Sequence, residues 1–203
     1  MAAWDLFLPL VMPSAPDAPG PLVRQKLRLA AREFCSKTRA WVQWIDASTT
    51  ATPNVYTFTK PTDAELVMLA GVTVDGKAID LSNLGGYDSD PVANAANEAP
   101  AAGTADLVTF VLLGEVTALP VRVKAVLMPT ATAATCPDFL ANRYLECIAA
   151  GAESMVLLVP GSLFNEQKAG LADAVFRAGI NKAITQVFRG NTTKTSRSRV
   201  SWC

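Results

Sequence analysis

From residue 23 to residue 41, Val23, Leu27, Ala30, Phe34, Thr38 and Trp41 follow one another at spacings of four, three, four, four and three. That is the repeat of one face of an α-helix, and Gly20-Pro21 supplies its start, because a first-turn proline has no N–H to leave unpaired. Arg24, Arg28, Arg32, Lys37 and Arg39 fall largely on the other faces, which reads as the solvated side of an amphipathic helix, with a nucleic-acid-binding face as the sharper alternative. Beyond residue 42 the period shortens. Val55-Tyr56-Thr57-Phe58-Thr59 is a β-rich run with aromatics on one face, and Val121, Val123, Ala125 and Leu127 alternate with Arg122, Lys124, Val126 and Met128. Leu107 to Leu113 is apolar on both faces and is expected to be more deeply buried. Val72-Thr73-Val74, Asp75-Gly76 and Ala78-Ile79 predict a hairpin, since Asp-Gly accepts the positive φ angles of a type I′ turn.

The carboxyl third returns to helical spacing. Pro137 fits a first turn, and Leu140, Tyr144, Ile148, Ala152 and Met155 form a stripe in which Gly151 lets a neighbour approach, until Pro160-Gly161 ends it. Asn165 caps a second helix whose expected buried stripe is Leu171, Val175, Ala178, Ile184 and Val187, ending near Gly190. The short connection makes these two antiparallel neighbours. The expected fold is therefore α+β: a helical bundle core of three long helices, an inserted small antiparallel β-sheet and an extended C-terminal arm. By residue, 1–20 is an N-terminal arm and proline-rich linker, 21–41 and 136–188 form the bundle, 42–135 is the inserted β domain and 189–203 a docking tail. Gly85–Ala105 inside the insertion holds seven alanines, three glycines and two prolines, with only Tyr87 and Val92 as larger apolar groups. Such a stretch cannot build a core and is expected as a flexible loop.

Composition narrows the chemistry. In 203 residues there is no histidine, so Ser-His, Cys-His and His-metal arrangements are unavailable. Cys35, Cys136, Cys147 and Cys203 include no CxxC spacing and read as buried or incidental thiols. No phosphate-cradling, dinucleotide, nucleophile-elbow or EF-hand motif occurs. Asp63 with Glu65 and Asp88 with Asp90 are close carboxylate pairs, but their turn-like contexts favour solvation over acid–base work. Neither an enzyme, a cofactor nor a metal is expected. The apolar Met1–Met12 carries Asp5 where an export signal needs positive charge, and Cys147–Val159 is interrupted by Glu153 and falls short of the roughly 20 residues that span a bilayer. No membrane association and no export by a cleaved signal are expected.

Charge is distributed unevenly. The totals balance at 18 basic and 18 acidic side chains, yet Arg189–Cys203 contains Arg189, Lys194, Arg197 and Arg199 and no acid, leaving 14 basic against 18 acidic elsewhere. Serine, threonine, asparagine and glycine dominate this last segment, which has no helical or strand period; extended, it reaches about 50 Å. A frayed terminus is the plain reading. Trp202, an aromatic anchor at the end of a basic arm, points instead to a segment that orders on a partner.

In order along the chain, W-D-x-F-L-P-x-V-x-P at Trp4–Pro13, the link to Pro19-Gly20-Pro21, L-x-x-A-A-x-E-F-C-x-x-T-x-x-W at Leu27–Trp41 and C-P-D-F-L-x-x-R-Y at Cys136–Tyr144 resemble tailed-bacteriophage head-to-tail connector proteins, the adaptor or head-completion proteins of the neck. The resemblance implies a structural virion protein, made in the host cytoplasm, that forms a twelvefold ring beneath the portal and surrounds the DNA channel. It implies as partners other copies of the chain, the portal protein, the next tail or neck protein, and genomic DNA that passes without specific binding. On this reading Arg189, Lys194, Arg197, Arg199 and Trp202 dock on the portal or a neighbouring subunit. A nucleic-acid-binding accessory protein, using the basic first helix and the tail, is the alternative.

Overall fold

The computed structural model describes residues 2–49, 55–81, 101–103, 107–113 and 120–190. The chain divides into two compact units, Met1–Ala40 with Pro129–Cys203 and, interrupting it, Trp41–Met128.

The first unit opens with β1 (Ala2–Ala3), a 3-10 turn at Trp4–Phe7 and α1 (Leu8–Val11). This segment is core. Trp4, Phe7, Val11, Ala15 and Ala18 are all buried, the Trp4 and Phe7 rings lie 5.8 Å apart, and Trp4 Nε1 donates to the Ala133 carbonyl at 2.9 Å. α2 (Gly20–Thr38) starts with Pro21 in its first turn and stops at Arg39, whose left-handed φ of 54° lets its N–H close on Cys35. Its buried face is Val23, Leu27, Ala30, Phe34 and Thr38, widened by Ala31 and Cys35.

The second unit is a closed barrel, not a small sheet. Its strands are β2 (Val42–Thr49), β3 (Val55–Phe58), β4 (Ala64–Val74), β5 (Lys77–Leu81), β6 (Ala101–Gly103), β7 (Thr109–Leu113) and β8 (Val121–Pro129). They follow one another around the barrel as β2-β3-β7-β6-β5-β4-β8. Nor is the sheet purely antiparallel: β5 and β6 run parallel. Closure removes the unpaired edges that an open sheet would expose. The β4–β5 hairpin pairs Val74 with Lys77, and Asp75 and Gly76 carry φ of 50° and 76°, as the Asp-Gly dipeptide predicts. Inside, the Tyr56 ring stacks 5.4 Å from Phe110, with Phe58 6.2 Å from the same ring.

Two expectations for this unit fail for identifiable reasons. β6 lies within the stretch expected as a structureless loop; made of Ala-Ala-Gly, it has no propensity signature and exists by pairing with β5 on one side and β7 on the other. The remainder of that loop lies outside the described residues. Leu107 and Val108 are exposed, Val111 is half-buried, and Phe110 and Leu112 are wholly buried, because the strand starts at Thr109 and obeys a period of two.

The chain re-enters the first unit through β9 (Thr135–Cys136), antiparallel to β1, followed by α3 (Asp138–Arg143), α4 (Leu145–Leu157) and α5 (Glu166–Phe188). The single helix expected from Pro137 onward is broken at Tyr144, with φ −127° and ψ 16°. The Tyr144 ring occupies the junction, 4.6 Å from Phe34 and 6.4 Å from Phe139. Three long helices are thus not what the chain builds: α2 and α5 have 19 and 23 residues, and α4 only 13. The expected C-terminal arm falls outside the described residues beyond Gly190. No described helix is long and apolar enough to cross a membrane.

Candidate docking surface

The α4–α5 pair is built from small residues. A short turn joins the two, and Asn165 caps α5 by accepting the Lys168 N–H at 3.0 Å. Gly151 of α4 abuts the Phe176 ring, and Gly179 of α5 abuts Cys147, so residue numbers run in opposite directions across an antiparallel contact. The buried stripe of α5 is Ala169, Ala172, Phe176, Ile180 and Ala183, spaced three, four, four and three. This corrects the expected stripe. Leu171 is 68% exposed, Val175 58%, and Ile184 is exposed as well. The large aliphatic residues suggested a core face, but their positions spread around the helix. The alanines keep the phase and let the helix axes approach.

At about 100° per residue, the exposed apolar residues of α5 fall on two flanks of its buried stripe. Leu171, Val175 and Ala178 lie on one. Below Val175 a groove of about 740 Å³ opens between the helices, its floor formed by Ala141, Cys147, Ala178 and Gly179. Arg143 and Lys182 against Glu146 leave it with one excess positive charge. Ile184 and Phe188 lie on the other flank, in the sector of Glu166, Gly170, Asp173 and Arg177; Phe188 is 87% exposed. Towards the start of α5, away from Ile184 and Phe188, a separate depression is lined by Glu33, Glu166 and Asp173 with Arg177 as the one cation, and exposed Leu158 adds apolar surface.

Elsewhere the sequence candidates separate. On α2, Arg24 Nε is held by Asp5 at 2.7 Å, Lys37 pairs with Glu33 and Arg32 donates to the Pro129 carbonyl at 2.9 Å. Much of the basic face is therefore engaged within the chain. Of the proposed tail anchors, Arg189 is the exposed C-cap of α5, while Lys194, Arg197, Arg199 and Trp202 lie outside the described residues, as do Asp88 and Asp90. Asp63 takes a left-handed turn with φ 64° ahead of Glu65 in β4, and both side chains are half-buried.

Three thiols are suppressed as nucleophiles. Burial pushes Cys35 up to about 12, with nearby Cys136 adding to it; burial also pushes Cys136 and Cys147 up to about 11. On the barrel, exposed Trp44 carries Arg122 over its ring at 6.0 Å, and Arg122 Nε reaches Asp46 at 2.9 Å across the β2–β8 pair, a cross-strand surface cluster. Among the described residues no three His, Cys, Asp or Glu side chains are grouped to hold a metal ion. Neither protein-family models nor curated proteins give a match to this sequence.

Proposed function

We propose that this protein is a structural component of a tailed-bacteriophage virion. It acts as a head-to-tail adaptor, forming a ring beneath the portal, joining capsid to tail and surrounding the channel through which DNA passes. Two lines support the reading. The motif residues that carry the resemblance are structural: Trp4, Phe7, Leu27, Phe34 and Leu140 are buried in the helical unit. The observation that carries the role is α5, a helix that buries Ala169, Ala172, Phe176, Ile180 and Ala183 and turns Leu171, Val175, Ile184 and Phe188 outward, as suits a subunit whose flanks meet other protein.

The work of such a component is mechanical. Copies of the chain contact one another, the portal protein and the next neck or tail protein, and DNA slides past a body with excess acid. In this reading Arg189, Lys194, Arg197, Arg199 and Trp202 of the tail dock on the portal. The alternative, a nucleic-acid-binding accessory protein, loses support from the intramolecular pairing of Arg24, Arg32 and Lys37.

Electron microscopy of the purified protein with portal-bearing heads tests the role: a ring at the neck is expected, and its absence overturns the adaptor reading. Deleting residues 189–203 tests the tail. The truncated chain is expected to fold but no longer attach to heads; virions completed by it contradict the docking role.

A further inference from the structure

We propose that residues 191–203 run back along α5 of their own chain and seat Trp202 in the acid-rimmed depression near the start of that helix. The C-terminal segment is then stored on its own subunit. This seat does not depend on the adaptor reading; under that reading the segment leaves it to reach the portal.

The depression, about 300 Å³, has an apolar floor of Met155, Leu158, Ala169 and Phe176, and Gly170 leaves the helix surface bare. Its charged rim sets Glu33, Glu166 and Asp173 against Arg177. Asp173 holds Arg177 at 2.7 Å and Glu33 holds Lys37, but these are exposed pairs, which exchange partners at little cost. Glu166 has no such partner among the described residues. Residues 191–203 contain Lys194, Arg197, Arg199 and no acid, with Val200 and Trp202 as their apolar members, the complement of an apolar floor with excess carboxylate. The α4–α5 groove on the other flank carries excess positive charge and repels the same segment.

Length and position fit as well. Gly190, with a left-handed φ of 63°, takes the chain off the axis of α5. From there Gly170 lies about 30 Å and Glu166 about 36 Å back along the helix, and an extended chain carries Trp202 about 40 Å. Asp173 is about 26 Å back, within the roughly 30 Å that Arg199 spans. Glu166, Gly170, Asp173 and Arg177 share one sector of α5 with Ile184 and Phe188, so the path follows a single side of the helix past two exposed apolar side chains. A segment tethered to its own seat acts at an effective concentration on the order of millimolar, which favours the same chain over a second copy.

The test uses full-length Cys147→Ser protein in which Gly170→Cys offers a thiol in the depression to the native Cys203. Heavy-isotope-labelled and unlabelled protein are mixed, oxidised mildly with oxidised glutathione, and the linked peptides identified by mass spectrometry. The expected product is a 170–203 bond between peptides of the same isotope content, hence within one chain. Leu158→Cys, a second exposed position at the rim, is expected to behave alike. Val175→Cys is the control: it lies nearer to Gly190, about 22 Å against about 30 Å, but on the other flank, so a segment without a seat links to it at least as fast. Linking at 170 is expected to be about tenfold faster than at 175, to slow on the order of tenfold in Trp202→Ala, and to slow in high salt. Equal rates at 170 and 175, bonds of mixed isotope content, or no bond at either rim position overturns the inference, and so does an unchanged rate in Trp202→Ala.

Discussion

Replacing Gly151 by alanine probes how tightly α4 and α5 are joined. A Cβ at this position stands 2.8, 2.9 and 3.0 Å from the Cδ2, Cε2 and Cγ atoms of Phe176. Relaxed carbon–carbon contacts lie near 3.5–4.0 Å, so the ring or the helix must yield by roughly 0.5–1 Å. Phe176 is 2% exposed, so its ring can move only by displacing its neighbours or tipping towards the depression it borders beside Glu166 and Arg177. Overpacking of this kind costs about 1–3 kcal/mol, while removing a glycine from a helix interior returns about 1 kcal/mol. Gly170 of α5 separates the two effects. It is exposed, and a Cβ there meets nothing within 4 Å. Gly170→Ala is therefore expected to stabilise by about 0.5–1 kcal/mol, whereas Gly151→Ala is expected to range from neutral to about 2 kcal/mol destabilised. Urea unfolding followed at 222 nm, with equal m-values in the two variants, measures the gap. Phe176→Leu in the Gly151→Ala background is expected to recover part of the loss, with a coupling of about 1 kcal/mol or more. Gly151→Ala as stable as Gly170→Ala, or a coupling near zero, would falsify the claim that this glycine sets the helix spacing.

Three further outcomes are expected. Asn165→Ala removes the acceptor of the Lys168 N–H and is expected to cost about 1 kcal/mol, with Asn165→Asp close to neutral; equal losses in the two variants contradict the cap. Folding raises Cys35, Cys136 and Cys147 above the ordinary thiol value of 9.0, so the unfolded chain ionises first. The stability these thiols contribute is full below about pH 9 and is lost as pH climbs towards 11–12. Urea midpoints at pH 8 and pH 10 should show that fall, shallower in Cys35→Ala, and an unchanged slope in that variant contradicts it. In Cys203→Ser protein at pH 8, Cys35 and Cys136 should resist thiol labelling until denaturant is added.

What the sequence made legible follows the strength of local signals. α2 is readable because its apolar spacing, Pro21 and Thr38 all agree, and the Asp75-Gly76 turn because two consecutive positive φ angles admit few residue types. The cap at Asn165 is legible because few side chains can accept a hydrogen bond from the first turn of a helix, as Asn165 does from the Lys168 N–H. Barrel closure is not, since it depends on pairings such as Val42 with Val126 and Asp80 with Ala101, far apart in the chain and decided by backbone rather than side-chain pattern. The break at Tyr144 was hidden by an apolar stripe continuous through it, and is held by contacts to Phe34 and Phe139. The α5 error has a single cause: weighting side-chain size over phase. The positions Ala169, Ala172, Phe176, Ile180 and Ala183 carry the helical period, but alanines count little on a hydropathy scale. The exposed apolar positions were missed with them, because Leu171, Val175 and Ile184, expected in the core, face outward.

That inversion bears on how the subunit could associate. Burying Leu171, Val175 and Phe188, exposed to 68%, 58% and 87%, is worth about 1.5–3 kcal/mol each when complete. Association of two proteins costs an estimated 4–15 kcal/mol in lost translational and rotational freedom. A single contact through one α5 flank is thus marginal. In any ring, the contact that closes it joins ends already held together, so it forms at high effective concentration without a second loss of translational freedom. Individually weak contacts then suffice for a stable closed assembly. An interface of this strength also leaves separate copies free of strong pairing before they are gathered on a template, which is what the proposed seat beneath the portal supplies.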